Sequence, residues 1–327
     1  MGYNVGILGA TGVVGREMIK VLSERNFPIA SLYLFASERS AGSEIDFKGE
    51  KIKVKTAESG DFEELDIVFG AVNADIAKEK APEIVKSGAV FIDNSSAFRL
   101  DGNVPLVVPG INPDDVKKHA GIISNPNCST IIALTAINPI NKLSEVKSVI
   151  ASTYQAVSGA GKGGIDALRA EEKAIYENTN VTSDVFGYPI AENAIAKIGS
   201  FQGDGYTSEE VKMQNEGRKI LHIPDLTVTC TCVRVPVLRC HSISLSVFTK
   251  DKISVKAAKE AIKNERGCVL DDLPAFPMPA FSSGDDSVHV GRIRDDFAFP
   301  NGIAMFCCGD QLRKGAATNA VEIAELL

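Results

Sequence analysis

The chain predicts an α/β fold, a doubly wound parallel sheet followed by a mixed α+β unit, and three observations carry that reading. Short apolar runs alternate with amphipathic ones through the first third, a glycine-rich turn follows the first run, and beyond Lys147 longer alternating stretches take over. With 327 residues and 44% hydrophobic side chains there is material for two separate cores.

In chain order, residues 3–8, 32–35, 67–72, 90–93 and 106–109 read as short buried strands, with helices at 12–23 and 77–87 between them. Strands and helices in alternation imply parallel pairing with right-handed crossovers. Residues 121–124 form one more strand, Pro126 and Asn127 break it, and residues 129–137 are apolar at helical spacing. Residues 149–157, 226–236, 242–249 and 303–308 then read as strands of a mixed sheet, covered on one face by helices at 163–176 and 254–264. The stretch 178–207 is polar and weakly periodic, so it reads as an insertion or interface loop, and Pro274, Pro277 and Pro279 mark another loop. A helical pattern at 314–327 is expected to return to the first unit. The expected domains are residues 1–127 completed by 309–327, and residues 128–308.

Residues 9–15, Gly-Ala-Thr-Gly-Val-Val-Gly, close the first strand and open the first helix. In a Rossmann-type unit a dinucleotide pyrophosphate sits there on helix N–H groups, and glycines let the backbone approach it. The spacing Gly-x-x-Gly-x-x-Gly departs from the usual Gly-x-Gly-x-x-Gly, so the strand, turn and helix around it supply the specificity. Gly9, Thr11, Gly12, Val13 and Val14 are the candidate cradle. After the second strand, Ser37, Arg39 and Ser40 suit a ribose 2′-phosphate and favour NADP, whereas Glu38 is what an NAD site would use.

Composition excludes other classes. A net charge of −7 argues against nucleic acid, which demands clustered Lys and Arg. No run of eighteen apolar residues and no basic, then apolar, leader is present, so a cytoplasmic protein with no membrane partner is expected. The seven cysteines (128, 230, 232, 240, 268, 307 and 308) show neither disulfide-framework nor zinc-ligand spacing, so reduced thiols and no metal are expected.

Cys128 stands where the strand at 121–124 gives way to a helix. The unpaired N–H groups of a helix's first turn favour thiolate over thiol, which makes Cys128 a candidate nucleophile, although cysteines are also common as inert core residues. A thiol needs a proton acceptor, and the chain offers His119, His222, His241 and His289. His119 and His222 fall in charged or Pro-flanked segments and His289 beside Gly-Asp-Asp, so solvated positions are expected for these three. His241 lies between two strand-like runs, downstream of Arg234, and is the candidate base or a structural histidine.

Six separated motifs recur in order and together resemble bacterial aspartate-β-semialdehyde dehydrogenases. They are the loop at 9–15, Asn94-Ser95-Ser96-Ala97-Phe98-Arg99, Pro126-Asn127-Cys128-Ser129-Thr130, residues 154–161, Cys232-Val233-Arg234-Val235-Pro236 followed by His241-Ser242, and Lys314-Gly315-Ala316-Ala317-Thr318-Asn319. The resemblance runs from about residue 3 to the end. It implies NADP-dependent, reversible interconversion of L-aspartate-4-semialdehyde plus inorganic phosphate with L-aspartyl-4-phosphate, on the route to lysine (through diaminopimelate), methionine and threonine. It also implies a homodimer formed through the mixed α+β catalytic and dimerisation domain.

The residue roles follow from the same resemblance. Cys128 would carry an acyl thioester, His241 would be the general acid/base and Gln155 would orient the substrate. Arg234 would hold the α-carboxylate and Glu209 the α-ammonium; Arg99, Asn127 and Lys212 would form the phosphate pocket. Ser158, Gly159 and Asn319 join the loop residues, Arg39 and Ser40 as cofactor-binding positions.

Two alternatives stand beside this reading. N-acetyl-γ-glutamyl-phosphate reductase shares architecture and chemistry, but its nucleophile box reads Asn-Pro-Gly-Cys, whereas this chain has Asn-Pro-Asn-Cys-Ser-Thr. A non-catalytic NADP-binding relative has no need of Cys128, His241, Arg234, Glu209, Arg99 and Lys212 together.

Overall fold

The computed structural model describes residues 2–58, 60–180 and 185–327, in two compact units, Met1–Asn127 with Ala316–Leu327, and Cys128–Gly315. The first unit holds β1 (Tyr3–Leu8), β2 (Ile29–Phe35), β3 (Glu44–Phe47), β4 (Glu50–Lys55), β5 (Ile67–Gly70), β6 (Val90–Asp93) and β7 (Ile122–Ser124). Their order is β3-β4-β2-β1-β5-β6-β7, parallel throughout except for the β3/β4 hairpin at one edge. Winding reverses between β1 and β5, the switch point at which such sheets bind ligands beyond the strand ends.

Helices cover both faces, which is why the strands are apolar almost continuously. On one face Met18, Ile19 and Leu22 of α1 (Val13–Glu24) join Ala320, Val321 and Ile323 of the C-terminal helix against Ile7, Phe69 and Ile92. On the other, Ala77, Ala81 and Ile84 of α2 (Ala74–Lys86) pack on Val68 and Phe91.

The second unit contains β8 (Val146–Gln155), β9 (Thr227–Arg234), β10 (His241–Thr249), β11 (Cys268–Asp271), β12 (Val288–Asp295) and β13 (Gly302–Gly309). The order is β11-β12-β13-β10-β8-β9; β8/β9 and β11/β12 are parallel and the other pairs antiparallel. Its helices are α3 (Cys128–Leu143), α4 (Gly161–Tyr176), α5 (Ser208–Leu221), α6 (Val255–Asn264) and the short α7 (Pro279–Ser282). Every residue of α3 from Ser129 to Ile140 is buried, so this helix runs through the interior of its unit against the sheet. The opposite face of the sheet leaves Ile150 and Tyr154 at 46% and 41% exposure.

Several expectations are corrected. Residues 106–109 form no strand but a single bridge, Leu106 to Ser124, because Pro105 and Pro109 bring no N–H to a ladder. The β3/β4 hairpin went unread because its charged edge residues leave only Ile45 and Val54 buried. The division near the C-terminus falls at Gly315/Ala316 rather than 308/309, since a Cβ on Gly309 would touch Ile132 and one on Gly315 would touch Cys128, both on α3. Residues 313–317 form a π-turn before the C-terminal α-helix begins at Thr318. Of the loop expected at 178–207, residues 181–184 lie outside the described residues. No helix among the described residues is long and apolar enough to cross a membrane.

Candidate active site

Strand register gathers the polar residues of the second unit. Gln155 at the end of β8 lies opposite Arg234 at the end of β9, and Tyr154 lies opposite Ser242, so His241 opens β10 at the edge where its neighbours finish. Gln155, Arg234 and His241 are all buried there.

The Arg234 guanidinium donates from Nη1 to the Ala156 carbonyl at 2.7 Å, lies 5.7 Å above the Phe186 ring, and keeps a buried Nε with no hydrogen-bond partner among the described residues. Burial lowers its pKa, while charge on Cys128 and Glu209 pushes back. A buried cation with an unused donor is a receptor for an anion, and a guanidinium suits a carboxylate.

Glu209 sits in the first turn of α5, which a capping box fixes: Thr207 Oγ1 accepts from the Glu210 N–H and Glu210 accepts from the Thr207 N–H. Lys212 Nζ donates to Glu209 Oε2 at 2.8 Å and Gln155 Nε2 to Glu209 Oε1 at 3.3 Å. Thr153 Oγ1 in turn donates to Gln155 Oε1 at 2.9 Å, which sets the orientation of that amide. A carboxylate beside an arginine provides one partner for each charged end of an amino acid.

His241 is fully buried, and its Nδ1 accepts from the Ala156 N–H at 3.0 Å. Its Nε2 has no hydrogen-bond partner among the described residues. Burial, then the nearby Arg234 cation, holds the imidazole pKa at about 3, so the ring is neutral at pH 7. A Cβ on Gly159 would stand 3.0 Å from Arg234 Nη1 and 3.3 Å from His241 Nε2, so glycine is what lets the 157–160 turn lie against both.

Cys128 is the first residue of α3 and is half-buried, whereas Cys230, Cys232, Cys240, Cys307 and Cys308 are buried. Burial pushes the thiol of Cys268, half-buried like Cys128, up to about 12, and that of fully buried Cys307 upward, which disfavours thiolate at both. Gly315 lets its segment approach Cys128, since a Cβ there would meet the Cys128 Cβ at 3.0 Å.

In the first unit the 9–15 loop is built by exclusion. Gly9 has φ +90°, and a Cβ on it would stand 2.3 Å from the Ala71 carbonyl oxygen; one on Gly15 would stand 2.3 Å from the Gly9 oxygen. Helix α1 starts after exposed Gly12, which offers no side-chain cap, so its first-turn N–H groups face outward beside half-buried Thr11, Val13 and Val14. Such a cradle fits a pyrophosphate. Ser37 and Arg39 are exposed on a 3₁₀ turn with Ser40, and Arg39 has no ion-pair partner among the described residues. Asn319 is buried, donates to Val107 O and Asn125 Oδ1, and has an Oδ1 with no hydrogen-bond partner among the described residues.

Other expected positions stand differently. The Ser158 hydroxyl is buried, donating to the Leu238 carbonyl and accepting from Gln311 Nε2, so it ties a loop. Arg99 and Asn127 are buried in the first unit, Arg99 donating to the Asn125 and Asn94 carbonyls, while Lys212 belongs to the second. His289, expected to be solvated, is half-buried between Asp271 and Asp285 at 3.2 and 3.1 Å. Sequence reading missed Thr153 and Gln311, whose Oε1 accepts from the Cys240 N–H beside His241. The signal for Thr153 was its place two residues before Gln155, on the same strand face.

Comparison with known proteins gives a consistent picture. A family model described as the semialdehyde dehydrogenase NAD binding domain matches residues 4–119, and one described as the semialdehyde dehydrogenase dimerisation domain matches residues 137–314. The chain is 49% identical to aspartate-semialdehyde dehydrogenase of Aquifex aeolicus, over 100% of this chain and 98% of the relative, and 44% identical to that of Bacillus subtilis, over 100% and 97%. Aspartate semialdehyde dehydrogenase II of Vibrio cholerae, solved in complex with ASA, superposes with a TM-score of 0.99 at 40% identity, covering 100% of this chain and 98% of that one. The Candida albicans enzyme, solved with NADP, superposes at 0.79 with 26% identity, covering 100% and 98%.

Proposed function

Because the chain belongs to the aspartate-semialdehyde dehydrogenase family of oxidoreductases, we propose that it interconverts L-aspartate-4-semialdehyde plus phosphate with L-aspartyl-4-phosphate through an acyl thioester on Cys128, using NADP. The observation that carries this reading is the buried Arg234 guanidinium with its unused Nε, set beside Glu209 and within electrostatic reach of Cys128. Arg234 binds the α-carboxylate and Glu209 the α-ammonium, exchanging a neighbour for it. Cys128 adds to the aldehyde carbon, supported by the helix start, and His241 Nε2 is the polar group available to the reacting oxygen. NADP, when bound, takes up hydride in one direction and supplies it in the other. Gly9, Thr11, Gly12, Val13 and Val14 would hold its pyrophosphate, Ser37, Arg39 and Ser40 its 2′-phosphate, and Asn319 Oδ1 would accept from the nicotinamide carboxamide.

Phosphate opens the thioester and releases the thiolate; by the resemblance Arg99, Asn127 and Lys212 are each proposed to bind it. The negative charge of the Glu209 carboxylate, already paired with Lys212, favours a charged α-ammonium over an N-acetyl amide. The exposed outer face of the second sheet, with Ile150 and Tyr154, is the surface for a homodimer, and the enzyme serves amino-acid biosynthesis in the cytoplasm.

The test is an absorbance assay of reduced cofactor with L-aspartate-4-semialdehyde, phosphate and NADP or NAD, with Cys128→Ala beside the unmodified enzyme. Expected are turnover with NADP in preference to NAD, and none by Cys128→Ala. Turnover with N-acetyl-glutamate semialdehyde alone, or binding of NADP without any turnover, would overturn the reading.

A further inference from the structure

We infer that Glu171 is a positioning residue for Arg234: its buried carboxylate fixes the 190–195 segment, and that segment holds the main chain of Arg234 at the end of β9. The inference rests on the reading of Arg234 as receptor for the substrate α-carboxylate. It adds a residue that acts only through that arginine.

Glu171 lies on α4 and is 1% exposed. Leu168, one turn before it, packs with Val157, Ile190, Ala191 and Ile195 in an apolar cluster. A carboxylate is costly in such surroundings unless hydrogen bonds compensate it. Its bonds are unevenly placed. Oε2 accepts from the Ile190 N–H at 2.6 Å and from the Ala191 N–H at 2.8 Å, whereas Oε1 is buried with no hydrogen-bond partner among the described residues. Two successive N–H groups converging on one oxygen form a nest, and its occupant decides where the chain at 190–191 lies. One acceptor atom is therefore the working part of this side chain.

From that anchor the chain reaches Arg234 within a few residues. The Asn193 N–H closes a turn onto the Ile190 carbonyl at 3.1 Å; Ile195 then donates to the Arg234 carbonyl at 2.9 Å and accepts from the Arg234 N–H at 2.8 Å. Because β9 is the last strand of its sheet, both backbone groups of Arg234 on the side away from β8 are held by Ile195. Just before the anchor, Phe186 sets its ring 5.7 Å from the guanidinium carbon. Glu171 thus fixes Ile190 and Ala191, these place Ile195, and Ile195 sets the point from which the guanidinium reaches out. A misplacement of about 1 Å at a binding group can cost roughly 10²-fold in rate, so a tie of this kind has kinetic weight.

Two substitutions separate the acceptor from the space it fills. Glu171→Gln keeps an oxygen for both N–H groups, and Glu171→Leu fills similar volume without one. Steady-state kinetics are expected to show Glu171→Leu raising KM for L-aspartate-4-semialdehyde roughly tenfold or more, with kcat and KM for NADP little changed, and Glu171→Gln recovering most of that loss. Equal damage by the two variants, or a loss carried by kcat alone, would overturn the inference. In an Arg234→Leu background, Glu171→Leu is expected to lower kcat/KM by less than about twofold, because the guanidinium it acts through is gone; a loss as large as in the unmodified background would overturn it. Should Glu171→Leu fail to fold, Glu171→Asp, one methylene too short to reach the nest, takes its place with the same expectations. Hydrogen-exchange mass spectrometry reads the tie without turnover. Faster exchange is expected in peptides containing residues 190–195 and in those containing Arg234 for Glu171→Leu, and in neither for Glu171→Gln. Unchanged exchange at Arg234 in Glu171→Leu would overturn the inference. If the unmodified enzyme itself shows no turnover, the proposed reaction falls, and the exchange result judges the tie separately.

Discussion

The glycine loop of the first unit and the charged cluster of the second, proposed as the nucleotide and substrate sites, are made from opposite materials. The loop is backbone: Gly9, Gly12 and Gly15 leave out side chains so that a carbonyl, a helix start and a ligand can crowd together. The pocket is side chain: Arg234, Glu209, Lys212, Gln155 and Thr153 are joined by charge and hydrogen bonds, most of them buried. A site made by omission fails by steric filling, whereas a site made of buried charge fails by loss of a partner.

That contrast can be broken most severely at Arg234. Arg234→Leu removes a buried cation and leaves the Ala156 carbonyl without its donor, so kcat/KM is expected to fall by the equivalent of about 2–5 kcal/mol, mostly through KM. NADP affinity, measured by fluorescence titration, should be unchanged; parallel loss of both would dissolve the distinction.

Acid distinguishes the two sites next, because the pocket contains a titrating histidine and the glycine loop has no titrating side chain. An unfolded histidine protonates near 6.5 and His241 near 3, so between those values the unfolded chain binds the extra proton and stability falls as pH falls. The expected slope is about 1.4 kcal/mol per pH unit from this group, fully recovered above pH 6.5. Urea titrations from pH 7 to 4 should show that slope reduced in His241→Gln.

In the loop, Gly15→Ala places a methyl 2.3 Å from the Gly9 oxygen. Overpacking of this kind costs about 1–3 kcal/mol. A lower Tm and NADP binding weakened by tenfold or more are expected, with the reactivity of Cys128 toward iodoacetamide retained. The smallest effect is at Thr153: Thr153→Val frees the Gln155 amide to turn, and losing one neutral hydrogen bond costs about 1 kcal/mol. Steady-state kinetics should show a several-fold drop in kcat/KM, restored by Thr153→Ser.

The same contrast explains what could be read from the amino-acid order. The glycines at 9, 12 and 15 are local, bounded by a strand and a helix, so their purpose is legible without knowledge of the rest. Cys128 is legible for the same reason, as a residue at a strand-to-helix break. Gln155, Glu209 and Lys212 carry no local sign; resemblance alone nominated them, and their meeting depends on β8, β9 and β10 ending at one edge. A local signal for α5 was present in Thr207-Ser208-Glu209-Glu210, the capping-box pattern, and the polar stretch before it obscured the helix. The β3/β4 hairpin was illegible because charged edge strands lack the apolar alternation that identifies a strand.

Intact-protein and peptide mass spectrometry after mixing enzyme with L-aspartate-4-semialdehyde and NADP in the absence of phosphate tests the proposed chemistry most directly. One aspartyl group is predicted on the peptide containing Cys128, discharged on adding phosphate and missing from Cys128→Ala. An unmodified Cys128 in enzyme that has reduced NADP, or an aspartyl group on another residue, would contradict it.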